Sequence, residues 1–499
     1  MKRSFRVVAL LVLVVSLMMP SVVLADLVLP PGTGVTNLVT QNISEGDAAV
    51  TIAYYDVDGN VDYNEPSTTI KPLAVKEFKT GDIPSTSLPD GWVGSAVMSS
   101  DAEVGVIVSV RWTATGREDG STQDAYVGGM QGFNQLYLPD LKRVPLTGDP
   151  TKANQVSKIY VQNTESAQAT IYMNYYNRQG GFEGVKVATI PGYSQKSFDL
   201  RKDADIPAGV ADGFGTTNDG ACYITSTNKI YAIVQTTWQN WDAAYEGLGQ
   251  ADTTLYAPSA FRTKRADGSW NIYSAVVVQN TTGASADIHF NYINRSTGNT
   301  DLHLVRTVGA YAATGLNTRT GGDLPASTFE VLGDNWAGSV IVTSTANIVG
   351  SSNIFWAAST QNYAGAYVMK SPSQAGEKIF IPAYYRRIDS KGWSQWSAIN
   401  LLNTENVSRV INIRFIDGTG ATVLAVDNFT LGPNAGIGIN SRNGSGGVAG
   451  LPTDTELATA LGDSFIGGAY IEAPAGSKLI ATVNIIYRDR SSVYNTFSK

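Results

Sequence analysis

Residues 159–180 read IYVQNTESAQATIYMNYYNRQG. The first five are an apolar-rich strand ending at Asn163, and a polar turn separates them from TIYMNYYN, in which Ile171, Met173 and Tyr175 alternate with Tyr172, Asn174 and Tyr176. Successive side chains of a strand point to opposite faces, so this alternation predicts a half-buried β-strand. The NRQGG that follows supplies the residues a tight hairpin turn needs. The same phrase recurs: VTIAYYD to Asp56, DIHFNYIN to Asn294 and VINIRFID to Asp417, each preceded by a strand ending in Asn at Asn42, Asn280 and Asn403. In this register Ile52, Met173, Phe290 and Ile413 form one column, and Tyr54, Tyr175, Tyr292 and Phe415 another.

Working outward, each copy opens on an apolar step ending in Pro30, Pro139, Pro258 or Pro382, roughly 110 to 125 residues apart. Later landmarks keep their order: a Leu/Ile-Pro step at Pro84, Pro207, Pro325 and Pro452, and a glycine-led strand from Gly94, Gly220, Gly338 and Gly467. A last strand ends at Trp112, Trp238, Trp356 and Tyr487. Helical periodicity is confined to TDTELATALG around Leu457. The expected fold is all-β: four tandem antiparallel β-sandwich domains at 26–135, 136–254, 255–378 and 379–499, of immunoglobulin-like or jelly-roll size. Tyr126–Gly129 and Tyr245–Gly249 read as short linkers, which predicts an extended or semi-rigid rod.

Residues 1–25 carry Lys2, Arg3 and Arg6, an apolar run and a small-residue ending at Ala25, the pattern of a cleavable signal peptide. The run is too short to span a bilayer, and the rest of the chain has no other such segment, so no membrane span is expected. Cys222 is the single cysteine, which leaves no intramolecular disulfide and no lipidated cysteine after the signal. The formal charge of −7 becomes more negative once the signal is removed, and no basic stripe suggests nucleic acid as a partner.

Candidate chemistry dissolves into the repeat columns. The only histidines, His289 and His303, lack a nucleophile motif, and His289 alternates onto the polar face. Cys222 aligns with Ala96, Val340 and Ala469 as a small buried hydrophobe. No His/Cys cluster suggests a zinc site, and Asp56-Val57-Asp58-Gly59-Asn60 reads as a hairpin turn rather than a calcium loop. No catalytic residue, metal or cofactor is assigned. Asn-x-Ser/Thr triplets, including those at Asn42 and Asn280, are read as chance matches. The recurring Trp112, Trp238, Trp356 and Tyr487 continue the apolar face, which leaves Trp241, Trp393 and Trp396, outside that column, as candidate ligand-binding aromatics.

With its VQNT strand, YYN/D-x-x-G hairpin, Leu-Pro step, glycine-led strand and terminal Trp, the unit resembles the uncharacterised tandem β-sandwich repeats of secreted and cell-surface bacterial proteins. The resemblance implies a secreted structural or adhesive role at the cell surface, the missing catalytic groups make that role non-catalytic, and the non-core Trp241, Trp393 and Trp396 motivate carbohydrate binding as the alternative. Partners would be other protein surfaces, including further copies of the chain, or extracellular glycan. Localisation would be extracellular or non-covalently associated with the envelope.

Overall fold

The computed structural model describes residues 33–113, 122–129, 131–144, 155–215, 217–238, 241–357, 362–488 and 490–499. The signal peptide expected at 1–25 and the step at Leu27–Pro30 lie outside the described residues. The chain is all-β, with antiparallel sheets layered into sandwiches. Repeat four displays the plan. One layer holds Thr422–Leu431, Arg409–Asp417, Ser464–Glu472 and Lys378–Asp389, and the other holds Gly436–Asn440, Gly392–Asn403, Leu479–Tyr487 and Arg490–Asn495. In repeats two and three the two middle strands fuse into single strands, Asp219–Trp238 and Asn335–Ala357, which pass from one layer to the other.

The alternating columns build the cores. Ile52, Met173, Phe290 and Ile413 are buried, as are Tyr54, Tyr175, Tyr292 and Phe415. The intervening Tyr172 is 44% exposed. The helix foreseen near Leu457 runs Asp454–Leu461, started by a Thr453/Glu456 capping box and burying Leu457 and Leu461.

The strand-ending asparagines are staples. Asn280 is fully buried, and its Nδ2 donates to the carbonyls of Ala284 (2.6 Å), Val308 (3.3 Å) and Gly309 (3.0 Å), while its Oδ1 accepts the Thr282 N–H (3.0 Å). Asn42, Asn163 and Asn403 repeat the pattern. A side-chain amide thus ties the strand end to two turns that have no ladder partner. The glycine that leads the later strand has an equally local cause. A Cβ on Gly94, Gly220, Gly338 or Gly467 would lie 2.1, 2.3, 2.0 or 2.2 Å from the carbonyl oxygen of Tyr55, Tyr176, Ile293 or Ile416.

The expected rod does not form. The segments read as linkers belong to the last strand of their sandwich: Thr122–Val127 pairs with Val104–Thr113, and Trp241–Glu246 pairs with Asp219–Trp238. Together with Asn362–Val368 and Arg490–Asn495 these strands pack against one another in cyclic order, so repeat one touches repeat four as well as repeat two. Gln123 Nε2 donates to Ser492 Oγ across that closing seam at 2.8 Å, and the Lys499 ammonium reaches the carbonyl of Ile43 at 2.9 Å. The strands approach closely because most aligned positions are small: Ala125, Ala244 and Ala366 align with Val493, and Ala243, Gly365 and Ser492 align with Asp124.

At the outer radius each hairpin turn docks on the next sandwich. The Arg178 carbonyl of repeat two accepts the Ala313 N–H of repeat three (3.0 Å), and the Arg295 carbonyl of repeat three accepts the Gly436 N–H of repeat four (2.8 Å). Ser194 of repeat two donates to the Val57 carbonyl of repeat one (2.6 Å), and the turn of repeat four abuts Pro72 of repeat one through Gly420. The receiving turns share an unusual backbone: Leu73, Tyr193, Tyr311 and Asn434 all have positive φ, at 62, 57, 58 and 51°. Such strain persists where surrounding contacts enforce it. The result is a closed, pseudo-fourfold ring of sandwiches.

Replacing Asn280 by Ala leaves three carbonyls and one amide without their partner, so we expect a loss of about 2–4 kcal/mol in unfolding free energy. Denaturant titration followed by intrinsic fluorescence measures it. An unchanged midpoint would show that the staple carries no weight.

Candidate binding cleft and buried polar centres

A carboxyl pair emerges at the ring centre. Asp124 of repeat one and Asp242 of repeat two are both buried, and Gln235 Nε2 donates to both, at 2.8 and 2.7 Å. Thr237 Oγ1 donates to Asp242 at 3.1 Å, and the Tyr160 hydroxyl holds the other end of the Gln235 amide at 3.0 Å. Burial pushes both acids up, Asp124 to about 6, and in Asp242 the neighbouring Asp124 charge adds to the effect. Two acids this close and this dry cannot both ionise, so one proton is held between them. Proximity in a buried seam gives a pH-sensitive contact between repeats one and two.

Other buried charges also serve seams. Lys142 bridges Asp140 (2.8 Å) and Asp219 (3.2 Å), and Arg178 joins Asp219 (2.5 Å) to Asp323 of repeat three (3.0 Å). Burial alone would raise the Asp140 carboxyl, but Lys142 beside it holds it below the usual carboxylate range.

The residues weighed from sequence find ordinary positions. Cys222 is fully buried opposite Tyr175, its thiol pushed up by burial. His289 and His303 lie on neighbouring strands of a partly exposed face, ring nitrogens 3.3 Å apart and rings stacked. The Asp56 carboxylate accepts the N–H groups of Asp58 (2.9 Å) and Asn60 (2.8 Å), the bonding of a hairpin turn. Trp356 is buried in the core of repeat three, and Tyr487 is covered by the Arg111 guanidinium of repeat one at 4.7 Å.

Of the three tryptophans singled out, Trp393 and Trp396 come together and Trp241 does not join them. Trp241 opens the last strand of repeat two, where its backbone pairs with Trp238 at the ring centre. Trp393 and Trp396 stand edge to face, centroids 6.1 Å apart, on the strand Gly392–Asn403. Its partner strand brings Arg386 opposite Trp396 and sets the Arg386 guanidinium 5.0 Å over the Trp393 ring. Arg386 also donates to the Gly462 carbonyl (2.8 Å) and pairs with Asp463, which clamps the end of helix Asp454–Leu461 against the hairpin. Between helix and hairpin lies an open cleft lined by Trp393, Arg442, Asn443, Asp454, Thr455 and Thr459, among others.

Arg442 stands at its mouth, exposed, with its guanidinium 4.9 Å over Trp396 and 5.7 Å over Trp393. Its position is set by its own backbone: the Arg442 N–H donates to Asn440 Oδ1 at 2.8 Å. Aromatic faces, a cation, amide and hydroxyl donors and a carboxylate acceptor are what a sugar-sized polar ligand requires. Arg386, Arg442 and the helix wall were not evident from the sequence. The available signal was the pair of aromatics three residues apart, preceded by an arginine at the fourth position after the opening Pro382.

No protein-family model and no curated protein matches the chain. Among solved structures, the Anabaena sensory rhodopsin transducer aligns at 17% identity over 20% of this chain and 93% of its own, with a TM-score of 0.15. Thermotoga maritima 1070 aligns at 7% identity over 24% of this chain and 95% of its own, with a TM-score of 0.19. At these scores neither likeness bears on function.

The Asp124/Asp242 pair makes a pH prediction. Because burial raises both acids, folding takes up a proton, and stability falls as pH rises from about 4 through about 6. Asp242→Asn removes one of the two acids and keeps an amide able to face Asp124. Its unfolding free energy is expected to change less between pH 4 and 7 than that of the wild type, measured by urea titration across that range. An unaltered slope would mean that no proton is shared.

Proposed function

We propose that the chain is a secreted, non-catalytic adhesive protein of the cell surface that holds extracellular glycan, in keeping with tandem immunoglobulin-like repeat proteins of bacterial envelopes. The observation that carries the reading is the edge-to-face pair Trp393 and Trp396 under Arg442 at the cleft of repeat four. The signal-like segment at 1–25 supports export. The closed ring supports binding over head-to-tail polymerisation, because each docking turn already sits on a neighbouring repeat of the same chain.

A second reading, self-association into surface layers, draws on one feature. Strand Phe182–Ile190 lies at a sheet edge and exposes Phe182, Val185 and Val187, beside Tyr172 of the next strand. Exposed apolar edge strands invite pairing between chains. A protein that elutes as a monomer at every concentration would remove this reading.

The glycan reading is tested by electrophoresis of the mature protein through gels carrying dissolved polysaccharides. Wild type should be retarded by at least one polymer, and Trp393→Ala with Trp396→Ala should lose about tenfold or more in affinity, the scale of a lost aromatic contact. Unchanged retardation of that variant would sink the assignment.

A further inference from the structure

The cleft of repeat four has a counterpart, and comparing it with the other repeats defines a ligand class. In repeat three, Trp270 and Tyr273 occupy the positions of Trp393 and Trp396, ten and seven residues before the stapling asparagine. Arg262, the equivalent of Arg386, donates to the Gly333 carbonyl (2.7 Å), pairs with Asp334 and lies 5.3 Å over Trp270. Arg319, the equivalent of Arg442, is exposed, lies 5.0 Å over Tyr273 and 5.9 Å over Trp270, and donates to the Tyr273 hydroxyl at 3.2 Å. Its N–H donates to Asn317 Oδ1 at 2.8 Å, as that of Arg442 does to Asn440.

Repeat two carries the same arginine and silences it. The Arg201 N–H donates to Asp199 Oδ1 at 3.0 Å, the bond made by Asn317 and Asn440 in the later repeats. Here, however, the residue is a carboxylate, and it also receives the guanidinium through Nε (3.0 Å) and Nη2 (2.6 Å). Repeat one has Gly81 at the corresponding place. An amide cannot neutralise a guanidinium, whereas a carboxylate in bidentate contact does. The Asp-to-Asn difference therefore leaves Arg319 and Arg442 charged and uncompensated by that neighbour, each spread over two aromatic rings. Both stand on a chain whose net charge is −7.

We infer that repeats three and four carry a matched pair of sites for a polysaccharide bearing carboxylate or sulfate groups. The inference rests on the glycan-binding reading and narrows it. Each exposed guanidinium presents a planar fork suited to two oxygens of an oxyanion, and the half-buried indoles beside it, Trp270 in repeat three and Trp393 and Trp396 in repeat four, offer a stacking surface for the attached sugar ring, while Tyr273 is buried against Phe355 and serves to hold Arg319. In the repeat-four cleft, Asn443 and Thr459 supply donors and Asp454 an acceptor for hydroxyls. Because the repeats follow one another around one axis in the same sense, equivalent positions of adjacent repeats lie on the same rim of the ring. A long polyanion can then engage both, and its apparent affinity exceeds that of either site alone.

The test uses the full mature protein in gels or calorimetry with polygalacturonate, dextran sulfate and neutral dextran. Expected are binding to one or both charged polymers, weakening with added salt, and little or no binding to dextran. Carboxylate and sulfate are distinguished by which charged polymer binds more tightly. Arg319→Ala or Arg442→Ala alone should cost about tenfold and the pair on the order of a hundredfold, as avidity is lost. The variant Asn317→Asp with Asn440→Asp installs the arrangement that repeat two already tolerates. It should fold normally and still lose the polyanion. Retention by dextran equal to that by the charged polymers, insensitive to these substitutions, would overturn the anionic assignment and leave glycan binding standing. Failure to retain any polymer would overturn both.

Discussion

Closure of the ring depends on how near four strands can come to a common axis. Backbones meet there because most of the facing side chains are small: the last strands supply Ala125, Ala244 and Ala366 at one height, with Val493 from repeat four, and Ala243, Gly365 and Ser492 at the next, with Asp124 from repeat one. One polar cluster sits between repeats one and two, where Gln235 donates to both Asp124 and Asp242 and Thr237 donates to Asp242. Another gathers Glu246, Lys370 and Asn495 from three repeats, with the Lys370 ammonium 2.6 Å from the Thr496 carbonyl and pulled down to about 8 by burial. Buried polar groups of this kind add little to stability but penalise other arrangements, because each is orphaned if the seam shifts. Outer turns then need only lock a geometry that the axis has already selected. Hydrophobic cores also cross the seams: Val39, Ile107 and Ala125 of repeat one join the core of repeat four, and Tyr273, Phe355 and Ala366 of repeat three join that of repeat two.

Much of a single sandwich was legible in the chain. Alternation is a direct consequence of strand geometry, so the columns headed by Ile52 and Tyr54 could be assigned to the interior from residue type alone. The stapling asparagines and strand-leading glycines announced themselves by recurrence, although their roles as turn tie and close-contact site needed coordinates. The ring was not legible, for a physical reason. Segments such as DAYVGG and AAYEGLG are short, small and glycine-bearing, which is the composition of a linker. The same composition is required of a strand that must pack against three others at an axis. Burial of Asp124 and Asp242 deepens the disguise, since acidic residues normally mark solvent.

The site was partly legible. Trp393 and Trp396 stood out because they fall outside the core columns, and the structure brings them together beside a cleft. Trp241 stood out for the same reason, and its backbone starts a strand of repeat two, away from that cleft. Arg319 and Arg442 were hidden because arginine is common on surfaces. Their distinction lies in the neighbour two residues earlier, asparagine in place of the aspartate that occupies Arg201 in repeat two. Repetition thus provides an internal control: one scaffold carries the same cation in compensated and uncompensated forms.

Small-angle X-ray scattering of the mature protein in dilute solution tests the closed ring most directly. A compact body of this chain length has a radius of gyration of about 23 Å, and the ring should fall close to that value with a single-peaked distance distribution. Four sandwiches strung end to end would give a radius roughly twice as large and a long distance tail. That profile would contradict the closing contact between repeats one and four and the shared rim that depends on it.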